Sequence, residues 1–191
     1  RLDRIGHRHV VAATDLAVPA ARAALAAAAL FGGTSRCVSF FANPQLLDTH
    51  DSRWTRLHGP WLREGFDAVG VLLDDLAARE FGDTGSSWLD HTTVVCLSEF
   101  GRSALLNDRS GRDHSLVNAC VLAGAGIRGG TVVGASSDVG MAPLAIDLAT
   151  GLVDPGGMIV NPEHVWQALL ESAGVVGADL GVPALSAVLS L

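Results

Sequence analysis

Along residues 60–80 the apolar side chains Leu62, Phe66, Val69, Leu72, Leu73 and Leu76 return every three or four positions. That period predicts an amphipathic helix, with Pro60 suited to its first turn and Gly82 as the stop. A second helix is predicted over residues 16–31, where Pro19 stands near the start and the Ala-rich run AALAAAALF (23–31) ends at Gly32-Gly33. A third is predicted over PEHVWQALLESAG (162–174), between Pro162 and Gly174. The tail PALSAVLSL suggests a last short helix.

Between the helical segments lie runs of strand character. RCVSFFA (36–42), β-branched and aromatic, predicts a buried strand that runs into the polar loop NPQLLDTHD. TTVVCLS (92–98) predicts a second strand, VNACVLAGAG (117–126) a third that ends in a glycine turn, and TVVG (131–134) a short fourth at an edge. TGSS (84–87) reads as linker, and residues 141–160 are Gly-rich without a clear period. Strand, long helix, strand and strand is the order of an α/β domain with a mainly parallel sheet. GAGIRGG (124–130) has the glycines of a phosphate-binding turn, but no good helix follows, so a tight turn is expected there.

Composition narrows the function classes. The 191 residues fit a single domain, 1–191, or a large part of one, and at 49% hydrophobic they can bury a core. A net charge of −7 argues against nucleic-acid binding, which needs a basic face to neutralise phosphates. All 13 basic residues are arginine, whose planar fork suits bidentate anion contacts. The longest apolar stretch, 23–31, is too short to span a membrane. Cys37, Cys96 and Cys120 have no metal-ligand spacing and each sits in an apolar run, so buried free thiols are expected. The chain opens on RLDRIGHRH with neither Met nor a secretory leader pattern, and is expected to be a fragment of a longer protein.

Ligands of open α/β sheets bind beyond the carboxyl ends of the strands, which sorts the chemistry-bearing residues. Asp48, His50 and Asp51 follow the first predicted strand, and Ser98, Glu99 and Arg102 follow the second. Asp113 and His114 come after a loop from that edge. Asp90-His91 is the same dipeptide but precedes its strand, so a structural role is expected. His7 and His9 have ligand-like i,i+2 spacing but precede any secure strand, so no ligand role is expected of them; His58 and His164 are read as surface or packing residues. Asp48 and His50 stand two apart, so in an extended segment their side chains project together, a carboxylate and an imidazole fit to ligate a divalent cation. With Glu99, Asp113 and His114 the set comprises two imidazoles and three carboxylates, enough for one ion or two that share ligands. Arg102 either balances that charge or grips a substrate oxyanion. Asn107 and Ser98 are polar groups that can serve the same site.

LDTHD (47–51), SEFGR (98–102), N…GRDH (107–114), AGAGIRGGTVVGASSD (123–138) and the late helix PEHVWQALLESAGV together resemble the bacterial DUF1501 family, related to the sulfatases and alkaline phosphatases. The resemblance covers roughly residues 20–175. It implies an alkaline-phosphatase-like, three-layer α/β/α sandwich with a mainly parallel sheet, incomplete at its N-terminus, and a metal site at the sheet's carboxyl edge. Carried over residue by residue, the metal ligands are Asp48, His50, Glu99 and His114, with Asp113 beside them; Ser98-Glu99 stands where the superfamily has Asp-His. Family members run about twice this length and commonly begin with a twin-arginine export signal. A first strand then carries a metal-binding Asp and the nucleophile position. A periplasmic or extracellular location follows from that resemblance.

Two functions are expected on these grounds. The first is a metal-dependent hydrolase of phosphate or sulfate esters. A divalent ion (Zn, Mn, Mg or Ca) is held by Asp48, His50, Glu99, Asp113 and His114. Arg102 is the catalytic residue on the ester's equatorial oxygens, and the substrate is an anionic small-molecule or polymer ester. The alternative is a non-catalytic sulfatase-like scaffold that binds an anionic ligand or protein partner through a charge-balanced network.

Overall fold

The computed structural model describes residues 16–45, 47–175 and 177–190, so His7 and His9 lie outside the described residues. The chain divides into two compact units, one over residues up to Leu89 together with Leu106–Arg112, the other over Asp90–Leu105 and the residues from Asp113 onward.

The first unit is built on two helices, α1 (Pro19–Phe31) and α2 (Trp54–Ala78), which pack on each other. Ala21, Ala23, Ala26 and Ala27 of α1 are buried, small side chains that let the second helix approach closely. From α2 the buried stripe is Gly65, Ala68, Val69, Leu72 and Leu76, and Leu76 is 0% exposed. The helical period expected for this segment is present, but the stripe is rotated: Leu62 and Phe66 face solvent. Helix α2 also starts six residues before Pro60, which lies inside it. Its start is set by the turn before it. The Asp51 carboxylate accepts the Arg53 backbone N–H at 2.9 Å, a side-chain substitute for an acceptor the helix start lacks, and the Thr55 hydroxyl donates to the Ser52 carbonyl at 2.8 Å. Gly65 lies against the Asn43 side chain and the Ala42 carbonyl, where a Cβ would collide. Beyond α2, the indole of Trp88 meets Phe31 and Phe81 edge-on at centroid distances of 5.2 and 4.8 Å, and the Arg79 guanidinium caps the Phe31 ring at 4.2 Å.

The second unit contains two small antiparallel sheets. Strand β1 (Thr93–Cys96) pairs with β4 (Val121–Gly124), Thr93 opposite Gly124 and Cys96 opposite Val121; β2 (Gly101–Arg102) pairs with β3 (His114–Ser115). Its core gathers Ile146, Ala168, Leu185, Ala187 and Val188, with Leu122, Val133, Leu148 and Val165 around them. Ile146 is 0% exposed and bridges both Val153 and Met158. The glycines of 124–130 form the tight turn expected of them, with Gly124, Gly126 and Gly130 at positive φ. Helix α3 (Pro162–Ser172) is capped at its start by His164, whose Nδ1 accepts the Asn161 backbone N–H at 2.9 Å. This histidine, expected at the surface or in packing, is 2% exposed and does the job that Glu or Gln does in a capping box. The tail forms a single 3-10 turn at Ser186–Val188.

These elements overturn the expected fold. Among the described residues there are three α-helices and only two-stranded antiparallel sheets, not a three-layer α/β/α sandwich with a mainly parallel sheet. Parallel neighbours need a crossover connection, usually a helix; between β1 and β4 the chain holds only the β2–β3 hairpin and loops, so it returns antiparallel. RCVSFFA forms no strand: among the described residues no backbone pairs with it, Cys37 is exposed and Phe41 is 74% exposed. TVVG is likewise a loop, with Val132 in solvent. The three cysteines are free, as expected, but Cys37 and Cys120 are exposed and Cys96 is half-buried. Among the described residues no helix is long and apolar enough to cross a membrane.

Candidate functional site

In the first unit, Asp48 and His50 sit on the short turn that leads into α2. His50 Nε2 lies 2.9 Å from a carboxylate oxygen of Asp48, so the pair expected from the D-x-H spacing does project together. Thr49, between them, turns the other way and is 5% exposed; its hydroxyl lies 2.7 Å from His58 Nε2. Asp51 has a different task. Its carboxyl is held below the usual carboxylate range first by the Arg53 side-chain hydrogen bond, then by the Arg53 backbone N–H. It starts a helix and pairs with Arg53 at 2.9 and 3.0 Å.

The Asp48–His50 turn is braced by residues 107–112 of the same unit. Asn107 is the centre of this brace: its Nδ2 donates to the His50 carbonyl at 3.2 Å, while its Oδ1 accepts the backbone N–H groups of Arg109 at 3.0 Å and Gly111 at 2.8 Å. A sequence of Asn, Asp, Ser and Gly suits such a turn, because short polar side chains bond the neighbouring backbone and tolerate left-handed conformations. Ser110 adopts one, with φ 57°. Gly111 is buried against the backbone of His50 and Asp51, where a Cβ would collide. Trp54 completes the brace: its indole N–H donates to the Ser110 carbonyl at 2.9 Å and its ring carries the Arg112 guanidinium at 4.4 Å.

In the second unit, Glu99 is exposed on the turn that follows β1. Ser98 and Asn118 fix that turn, since Asn118 Nδ2 donates to the Ser98 carbonyl at 2.6 Å and the Ser98 hydroxyl donates to the Phe100 carbonyl at 2.8 Å. Arg102 and His114 are register partners in the β2–β3 pair. The His114 ring stacks on Phe100 at a centroid distance of 3.9 Å, and the Arg102 guanidinium stands 5.5 Å from the same ring. Gly101 packs on the Val117 carbonyl, where a Cβ would collide, so this short hairpin keeps its place only with glycine there. Asp113, half-buried, accepts the Ser103 N–H at 2.8 Å through its backbone carbonyl and donates its own N–H to the Ser103 hydroxyl. Asp90 and His91 fall in a 3-10 turn before β1, at the other end of that strand from Glu99.

Asp48 and His50, on one turn of the first unit, offer a carboxylate oxygen and an imidazole nitrogen 2.9 Å apart, a possible pair of ligands for a divalent ion; Glu99, Asp113 and His114, expected to join them, lie in the second unit. A carboxylate and an imidazole suit Zn²⁺ or Mn²⁺ better than Ca²⁺, which takes six or more oxygen ligands. The brace residues Gly111 and Trp54 did not stand out in the sequence. The turn chemistry of NDRSG was visible there, but its docking on His50 is a contact across more than fifty residues that no local pattern encodes.

No curated protein and no solved structure matches the chain. The profile of the family described as "Protein of unknown function (DUF1501)" matches residues 5–149, the span that carries both the Asp48–His50 turn and the Glu99–His114 segment. The chain therefore belongs to the DUF1501 family.

Proposed function

We propose that this chain supplies divalent-cation ligands and an anion-gripping arginine to a hydrolase of phosphate or sulfate esters, of the reaction class of the sulfatases and alkaline phosphatases. The observation that carries the reading is the Asp48–His50 pair, a carboxylate oxygen and an imidazole nitrogen 2.9 Å apart on one braced turn. A divalent ion bound there supplies Lewis-acid polarisation of an ester oxygen. Asp48 and His50 present a carboxylate and an imidazole from one turn, and the brace around them fixes that turn before any ligand arrives, so little ordering cost falls on binding. In the second unit the His114 imidazole is kept in orientation by the Phe100 face. In this reading Arg102 supplies a planar cation to the equatorial oxygens of the ester. The resemblance to exported family members supports a periplasmic or extracellular site for this activity.

A second reading, a scaffold that binds an anionic partner without chemistry, is favoured by the Phe100 stack. There the two groups assigned to substrate and ion, Arg102 and His114, both use one aromatic ring as a neighbour. Metal analysis of the purified protein, followed by melting with and without chelator, separates the two. Bound Zn or Mn and a lower melting temperature after chelation support the cation reading, since a site ion stabilises the folded state by linkage. Protein that is metal-free and melts identically with chelator refutes it. Aryl phosphates and aryl sulfates assayed with each of Zn²⁺, Mn²⁺, Mg²⁺ and Ca²⁺ then test hydrolysis; absence of turnover with all four leaves the scaffold.

A further inference from the structure

Asn107 bonds the backbone of the candidate cation turn from outside it. Its amide nitrogen reaches the His50 carbonyl at 3.2 Å, and its amide oxygen takes two backbone N–H groups of its own loop, those of Arg109 and Gly111. The backbone closes the same loop, because Asn107 N–H donates to the Gly111 carbonyl at 2.9 Å and Ser110 N–H to the Asn107 carbonyl at 3.0 Å. The loop is held from outside by the Trp54 indole on the Ser110 carbonyl and by Arg112 on the Trp54 ring. One side chain therefore ties a self-closed loop to the backbone of a candidate ligand residue. An orientation error at a ligand carbonyl propagates to its ring, and groups that orient ligands are typically worth ten- to hundredfold in metal affinity.

We infer that Asn107 is a positioning residue for the His50 imidazole, its Nδ2–H···O=C bond setting the direction in which that ring presents its nitrogen to a cation. The inference rests on the cation reading above. It assigns Asn107 no contact with the ion or the ester. The two halves of the amide have separable roles: the oxygen shapes the loop, and the nitrogen holds His50.

Titration of the whole chain with Zn²⁺ by calorimetry, with Co²⁺ absorption as a second readout, tests it on the wild type, Asn107→Ala and Asn107→Asp. Asn107→Asp keeps an acceptor for the Arg109 and Gly111 N–H groups and loses the donor to His50. Asn107→Ala loses both. Both variants are expected to bind Zn²⁺ about tenfold or more weakly and to shift the Co²⁺ ligand-field bands, while Asn107→Asp melts, metal-free, close to the wild type. A loss of melting temperature alone does not move the ligand-field bands, so that readout separates orientation from stability. Wild-type affinity or an unshifted Co²⁺ spectrum in Asn107→Asp overturns the inference while the cation reading stands. A wild type that binds neither ion overturns both, and the wild-type titration alone reveals which case holds.

Discussion

Gly111→Ala is the sharpest perturbation available at the candidate site. The glycine is buried, and a Cβ built on it falls on the His50 carbonyl carbon and oxygen and on the Asp51 nitrogen. These are backbone atoms, so no rotamer change relieves the overlap; either the 107–112 loop lifts or the His50 turn moves. Overpacking of this kind costs about 1–3 kcal/mol. The backbone neighbour places the expectation in the middle of that range, about 2 kcal/mol. Urea unfolding followed by far-UV circular dichroism measures it as a lower midpoint with an unchanged slope. The same variant is expected to bind Zn²⁺ about tenfold more weakly, because the displaced backbone is that of a candidate ligand. A change below about 0.5 kcal/mol, the range of an ordinary surface substitution, refutes the claim that the loop presses on His50.

Further expectations follow from other parts of the molecule. Ile146, fully buried among Ala168, Leu185, Ala187 and Val188, is expected to cost about 2–5 kcal/mol on substitution by Ala and about 1 kcal/mol by Val; equal costs in urea unfolding contradict a close-packed site. The Asp147 carboxyl is held below its ordinary value of 3.8 by the Thr150 and Ala149 backbone N–H groups and the Thr150 hydroxyl. A depressed folded-state pKa stabilises above the unfolded value and loses that contribution as pH falls through the folded one. Asp147→Asn should therefore reduce stability near neutral pH and flatten its decline below about pH 4, read by thermal melts between pH 2 and 7. Cys37 is exposed whereas burial pushes the half-buried Cys96 thiol up. Ellman's reagent at pH 8 should thus modify Cys37 first, and Cys96 should react faster as pH rises; equal rates argue against this placement.

What the sequence revealed depended on how local the signal was. The α2 segment was legible because apolar residues repeat at helical spacing, and its partner α1 because proline and glycine mark its ends. The face that α2 buries was not, because Gly65 and Ala68 carry little hydrophobic signal while Leu62 and Phe66 carry much, and the close approach of α1 and of segment 42–45 selects the small residues. RCVSFFA has strand composition, yet a strand exists only when another backbone pairs with it, and composition says nothing about that partner. Direction failed for the same reason: nothing in TTVVC or CVLAG states whether the two run alike, although the lack of a helical period between them pointed to an antiparallel return. At the site, the D-x-H spacing was enough to put Asp48 beside His50. The role of Asp51 as a helix start was hidden by its position among apparent ligands.

The bonds from Asn107 to His50 and from Trp54 to Ser110 span 57 and 56 residues. Helices α1 and α2 can form within microseconds of leaving the ribosome, but the loop that shapes the His50 turn does not yet exist at that moment. At roughly 5–20 residues per second, about 3–11 seconds of synthesis separate residue 50 from residue 107. The nascent chain thus carries its acidic and imidazole groups for seconds on an unshaped segment, and the shape of that turn arrives only once residue 107 has been made, not with helix formation.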